Sequence, residues 1–140
     1  MIVEAGGGPL SVVIAGANVH DTKLLEQTID ALIVERPDPA RRPQHLCLDK
    51  GYDNPTGHTT VAAKAYTAHI RRIGEEKLDR WGRKTERARR WVVERTLAWL
   101  SKCRAILVRH AKKSSNYLAM VQLACVLLWY RRLHRICVLR

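Results

Sequence analysis

No CxxC pair occurs in this sequence: Cys47, Cys103, Cys125 and Cys137 are scattered, and none has a zinc-type spacing to histidine. Three of the four lie in apolar surroundings, where a thiol serves as a small hydrophobe, so a reduced, cytoplasmic setting is the expectation. The start, Met1-Ile2-Val3-Glu4-Ala5, lacks the basic region and apolar core of a secretory signal. No apolar run is long enough to span a bilayer with ease. The longest, Tyr117 to Tyr130, is interrupted by Gln122 and has the length of a buried core helix, so no membrane partner is expected. Repeats and low-complexity tracts are also missing. Scarcest of all is acid in the second half, where residues 71–140 hold 5 Asp/Glu against 19 Lys/Arg.

What is present starts from that asymmetry. Residues 1–70 hold 8 Asp/Glu against 6 Lys/Arg, so the whole net charge of +12 comes from the second half. A half-basic chain with pI near 10.2 points to a polyanion, either nucleic acid or an anionic membrane surface. Arginine predominates there, and its guanidinium fork matches phosphate oxygens, which favours nucleic acid. With 140 residues and 46% hydrophobic content, the chain has enough apolar material for one domain's core.

The order of elements follows from pattern and punctuation. Met1–Ala5 and Pro9–Ala15 read as strands joined by Gly6-Gly7-Gly8, and the second is continuously apolar, so the hairpin should be covered on both sides within a larger sheet. Asp21 is the expected N-cap of a helix whose face carries Leu24, Leu25, Thr28, Leu32 and Ile33. Pro37, Pro39 and Pro43 impose an extended linker. His45 to Asp49 reads as a short strand, Asn54-Pro55 as a cap and first helical position opening a helix to about Tyr66, and Thr67 to Ile73 as a strand. Residues 74–83 read as a polar connection, 84–102 as a long Arg-studded helix, and Ser114 opens a last helix ending in Arg131, Arg132 and Arg135. Strands alternating with helices after a hairpin predict a mixed α/β sheet.

Three segments carry possible chemistry. Leu48-Asp49-Lys50-Gly51-Tyr52-Asp53 sets carboxylates at the C-terminal end of a strand, on the rim where α/β sheets bind ligands. Mg²⁺ takes oxygen ligands and often only one or two carboxylates; the alternative is that Asp49 and Asp53 simply form a turn. In Arg90-Trp91-Val92-Val93-Glu94-Arg95-Thr96, Glu94 is the last acid of the chain. An i, i+4 pair with Arg90 is its plainer role. Apolar neighbours make a half-buried metal ligand the better reading. The third segment, Gly16-Ala17-Asn18-Val19-His20-Asp21, is explained by capping and turn chemistry.

Together these segments resemble the DDE transposases of bacterial insertion sequences, the branch with an RNase H-like catalytic core. Residues 9–21, the Asp49-Lys50-Gly51-Tyr52-Asp53 strand end, Arg90 to Thr96 with Trp99-Leu100, and the helix from Asn116 to Arg132 match in order. The resemblance implies an RNase H-like α/β mixed sheet with flanking helices, lacking its first strand here. It implies a single catalytic domain, sheet-rich over 1–73 with Asp49 and basic and helical over 74–140 with Glu94. Asp49 and Glu94 would be two of three carboxylates binding Mg²⁺ or Mn²⁺ for DNA cleavage and strand transfer. Lys50, Arg87, Arg90, Arg95 and Lys102 would meet DNA, and a homodimer would form in a synaptic complex. The sequence departs from the family pattern at Arg87, where the family has Tyr, and at Ser101, where it has Lys; Lys102 is one place on. No acid matches the family's first Asp, since neither Glu4 nor Asp21 occupies that position. The expectation is therefore a transposase fragment inactive by itself. The alternatives are a non-catalytic DNA-binding protein derived from a transposase and, less well supported, a small metal nuclease.

Overall fold

The computed structural model describes residues 1–70 and 91–138, apart from the side chains of Ile136 and Val138. Its elements are β1 (Ile2–Val3), β2 (Pro9–Ser11), α1 (Leu25–Asp30), β3 (His45–Leu48), α2 (Pro55–Ala63), β4 (Thr67–Ile70), α3 (Trp91–Leu100), α4 (Arg104–Leu107) and α5 (Ser114–Val138). The fold class is thus mixed α/β, as the alternation predicts. Two single 3₁₀ turns, Asp21–Leu24 and Lys50–Tyr52, precede α1 and α2.

β1 and β2 form an antiparallel pair, with Ile2 opposite Ser11 and Val3 opposite Pro9. Leu10 is the extra residue, a bulge that shortens the ladder. Pro9 has no N–H to extend it. The hairpin is therefore much shorter than the runs of apolar residues predict. Nor, among the described residues, is it inside a larger sheet: β1–β2 and β3–β4 are two separate two-stranded sheets. Its cover on both sides is real. Ile2 packs on a core of Leu25, Ile29, Leu46 and Val61. Met1, Val12 and Ile14 pack on a second core of Leu100, Val121, Ala124 and Cys125.

In the first core, β3 and β4 run parallel in register from His45–Thr67 to Leu48–Ile70, joined through α2. Leu46 and Leu48 face inward while His45 and Cys47 face solvent, the alternation of a sheet with one wet face. α2 starts as predicted. Asn54 Oδ1 accepts the Gly57 amide at 2.8 Å, and Pro55 occupies the first turn. The approach to α1 differs: His20, not Asp21, caps the 3₁₀ turn Asp21–Leu24, its ring accepting the Thr22 amide at 3.4 Å, and α1 itself follows Leu24 without a side-chain cap. α1 ends at Asp30, so Ile33 lies past the helix and is 88% exposed. Ser11 Oγ donates to the Thr28 carbonyl at 2.7 Å, tying hairpin to α1. Lys64 reaches Asp30 at 2.6 Å, tying α2 to α1.

The second core lies where α3, α4 and α5 meet the hairpin. α5 has 25 residues, but it is not the buried helix its apolar run predicts. Val121, Ala124 and Cys125 are buried, while Leu123 is 69% and Val126 62% exposed. All four cysteines are free, as expected. No helix among the described residues is long and apolar enough to cross a membrane.

Candidate functional site

Asp49 lies one residue beyond the C-terminal end of β3, because the 3₁₀ turn at Lys50–Tyr52 begins there and needs a cap. Its Oδ1 accepts the Lys50 amide at 2.7 Å, and its carbonyl accepts the Tyr52 amide at 3.0 Å. The residue is exposed, and so is Lys50. Asp53 Oδ1 lies 3.1 Å from His58 Nε2, so that acid belongs to the start of α2. The Tyr52 hydroxyl donates to the Asp21 carbonyl at 3.5 Å. Burial raises the pKa of that hydroxyl, and the Asp21 and Asp49 carboxylates raise it further. The two acids therefore share one neighbourhood around Tyr52. The sequence reading kept Asp21 apart from Asp49; 28 positions separate them in the chain, and no periodicity links them.

Glu94 is exposed in the first described turn of α3, not half-buried as its apolar neighbours suggest, because Val92 and Thr96 take the buried face. That helix packs against β1 and α5, whereas Asp49 rests on the core of α1, α2 and β3. Arg87 and Arg90 lie outside the described residues. Lys102 is exposed just past α3, in a turn where its amide bonds the Trp99 carbonyl at 3.2 Å. Asp49 and Glu94 offer the oxygen donors that Mg²⁺ takes. Among the described residues no group of three or more His, Cys, Asp or Glu side chains is arranged to hold a metal ion.

What α3 and α5 do bring together is basic and aromatic, around the glycine turn. Thr96 Oγ1 donates to the Gly7 carbonyl at 2.7 Å, and Arg95 donates to the Gly6 carbonyl at 2.5 Å. Trp129 Nε1 donates to the Pro9 carbonyl at 2.8 Å. Gly7 has φ +94°, which a side chain tolerates poorly. Gly8 lies directly on the Trp129 ring. Inside the turn, Glu4 accepts the Gly6 and Gly8 amides at 2.6 and 2.8 Å and pairs with Arg132 at 2.7 Å. Burial raises the pKa of this carboxyl. The two amides and the guanidinium together outweigh burial and hold it below the ordinary carboxylate value.

Beside the turn, Gly6 and Gly7, Arg95 and Trp99 of α3, and Arg131, Arg132 and Arg135 of α5 line one groove. Arg131 stacks on Trp99 with 5.4 Å to the ring centre, Arg132 on Trp129 with 5.1 Å, and Arg95 on Trp91 with 4.7 Å. The sequence marked Arg95 for DNA; it gave the basic helices to phosphates in general but named none of the α5 arginines.

The transposase DDE domain family model matches residues 1–129. The chain belongs to the transposase DDE domain family. It is 32% identical over 146 residues to a Burkholderia cepacia protein whose name assigns it as a transposase for insertion sequence element IS402. That match covers 96% of this chain and 63% of the relative, so the chain spans somewhat under two thirds of the relative's length. No solved structure matches it.

Proposed function

We propose that this chain is part of the catalytic domain of an insertion-sequence transposase, with DNA as substrate and Asp49 and Glu94 as two of three metal-binding carboxylates. The observation that carries the reading is the position of Asp49, just past the end of a strand in a parallel βαβ unit, the rim where α/β sheets hold ligands. Family membership supplies the chemistry. The Mg²⁺ or Mn²⁺ that Asp49 and Glu94 would hold would supply polarisation of the phosphodiester and activation of a water or 3′-hydroxyl. In this reading Asp49 and Glu94 hold that ion by oxygen atoms, and Lys50, Arg87, Arg90, Arg95 and Lys102 meet DNA phosphates. The domain runs through the whole chain, Asp49 in its sheet-rich part over 1–73 and Glu94 in its basic helical part over 74–140.

The antiparallel pair β1–β2 and the parallel pair β3–β4, with helices between and after them, support an RNase H-like arrangement. The 140-residue chain, in which no acid matches the family's first Asp, then binds DNA in a salt-sensitive manner without cleaving it, and pairing of two copies belongs to the synaptic state. A plasmid-nicking assay with Mg²⁺ or Mn²⁺ tests this. Nicking that disappears in Asp49→Asn contradicts the inactivity of the isolated chain while supporting the metal site. Nicking that survives Asp49→Asn contradicts both. The arginine groove equally favours a DNA-binding protein without catalysis. A silent Asp49→Asn phenotype in every metal-dependent assay selects that second reading.

A further inference from the structure

We infer that the groove between α3 and α5 is a DNA-backbone site, separate from Asp49, in which Arg131 and Arg135 contact phosphates. Four guanidiniums line it, from Arg95, Arg131, Arg132 and Arg135, and none of the described residues that line it is acidic. Glu4 pairs with Arg132, which leaves a concave surface with excess positive charge. Cations near a helix C-terminus suit its dipole, but that effect reaches only the last turn and does not explain why Arg95, from another helix, shares the groove. Three of the four guanidiniums are also held in place. Arg131 lies on Trp99, Arg132 is fixed by both Trp129 and Glu4, and Arg95 bonds the Gly6 carbonyl. Side chains ordered beforehand lose less entropy on binding, and a guanidinium fork donates to two phosphate oxygens at once. Thr96 and the glycine turn hold the groove's floor to α3, so a strand bound there runs along the helix that carries Glu94.

The identity of the polyanion rests on the transposase reading; the site itself rests on geometry. A phosphate-rich membrane surface is the competing partner, since exposed Leu123, Val126, Tyr130 and Leu133 lie on the same helix. The experiment measures fluorescence-anisotropy binding of the 140-residue chain to a duplex oligonucleotide, without divalent metal, across a salt series. Arg131→Gln with Arg135→Gln is compared with Lys112→Gln with Lys113→Gln, which removes equal charge from exposed positions outside the groove. Losing two phosphate contacts lowers the salt slope by about 1.8, so between roughly 50 and 200 mM salt the wild type loses about twelvefold more affinity than the groove variant. The lysine variant keeps the wild-type slope. An unchanged slope in the groove variant, or an equal loss in both double variants, overturns the groove while leaving the transposase reading standing. Binding by phosphatidylserine vesicles but not by duplex overturns the DNA assignment. A wild type that binds no duplex at all overturns both readings.

Discussion

Replacing Glu4 by Gln separates the electrostatic clamp on the glycine turn from its hydrocarbon packing. The carboxylate accepts two amides, from Gly6 and Gly8, and one guanidinium, from Arg132. Gln keeps the length and one oxygen acceptor but loses the charge and the second oxygen. Hydrogen bonds to a charged group contribute about 1.5–3 kcal/mol when buried. Here the Arg132 and Glu4 side chains are 29% and 33% exposed, so solvent screening reduces that figure. A loss of about 1–2 kcal/mol at neutral pH is expected, and with a urea m-value of about 2 kcal/mol/M the midpoint falls by roughly 0.5–1 M. The pH dependence follows from the depressed carboxyl. A group whose folded pKa is lowered contributes its full stabilisation above its unfolded value and loses it as pH falls through the folded value. The gap between wild type and Glu4→Gln should therefore be widest at neutral pH and close in acid. Urea titrations followed by tryptophan fluorescence at several pH values measure it. A neutral-pH difference below about 0.3 kcal/mol, or one that does not narrow in acid, refutes the clamp.

Gly8→Ala places a methyl group on the Trp129 ring, and an overpacked contact of this kind costs about 1–3 kcal/mol, read as a lower urea midpoint with a shifted tryptophan emission. Cys125 is buried and its thiol pKa is raised by that burial, so iodoacetamide should label exposed Cys47 and Cys137 well before Cys125, as peptide mass spectrometry resolves. Equal labelling rates at all three would show that α5 does not bury this face.

The sequence made the local chemistry readable and left the long-range chemistry hidden. Asn54-Pro55 announces α2, because a cap and a first-turn proline act within four residues, and the structure has both. The strand at His45 and the glycine turn are equally local. The α1 boundary shifts because a 3₁₀ turn capped by His20 precedes the helix, and Ile33 is left in solvent because α1 ends at Asp30. The hairpin is shortened by a bulge and by Pro9, neither of which alters the hydrophobic pattern. α5 reads as buried because an apolar run does not reveal how many partners surround it. Least legible is the groove: Arg132 meets Glu4, and Arg95 meets Gly6, across 128 and 89 positions. In the sequence Glu4 was weighed only as a substitute for a missing Asp, and its structural partner lies near the other end of the chain. Asp49 and Glu94 were singled out by their settings and by resemblance, and family membership now stands behind that resemblance.

Manganese binding, followed by the loss of the free-ion paramagnetic resonance signal in the presence of duplex DNA, tests the assignment of Asp49 and Glu94 most directly. Asn caps a helical turn as well as Asp does, so Asp49→Asn keeps the 3₁₀ turn at Lys50–Tyr52 and changes chiefly the charge. Binding weakened about tenfold or more, a change of roughly 1.4 kcal/mol, in both Asp49→Asn and Glu94→Gln is the predicted result. Unchanged manganese affinity in both variants would contradict the metal-site account.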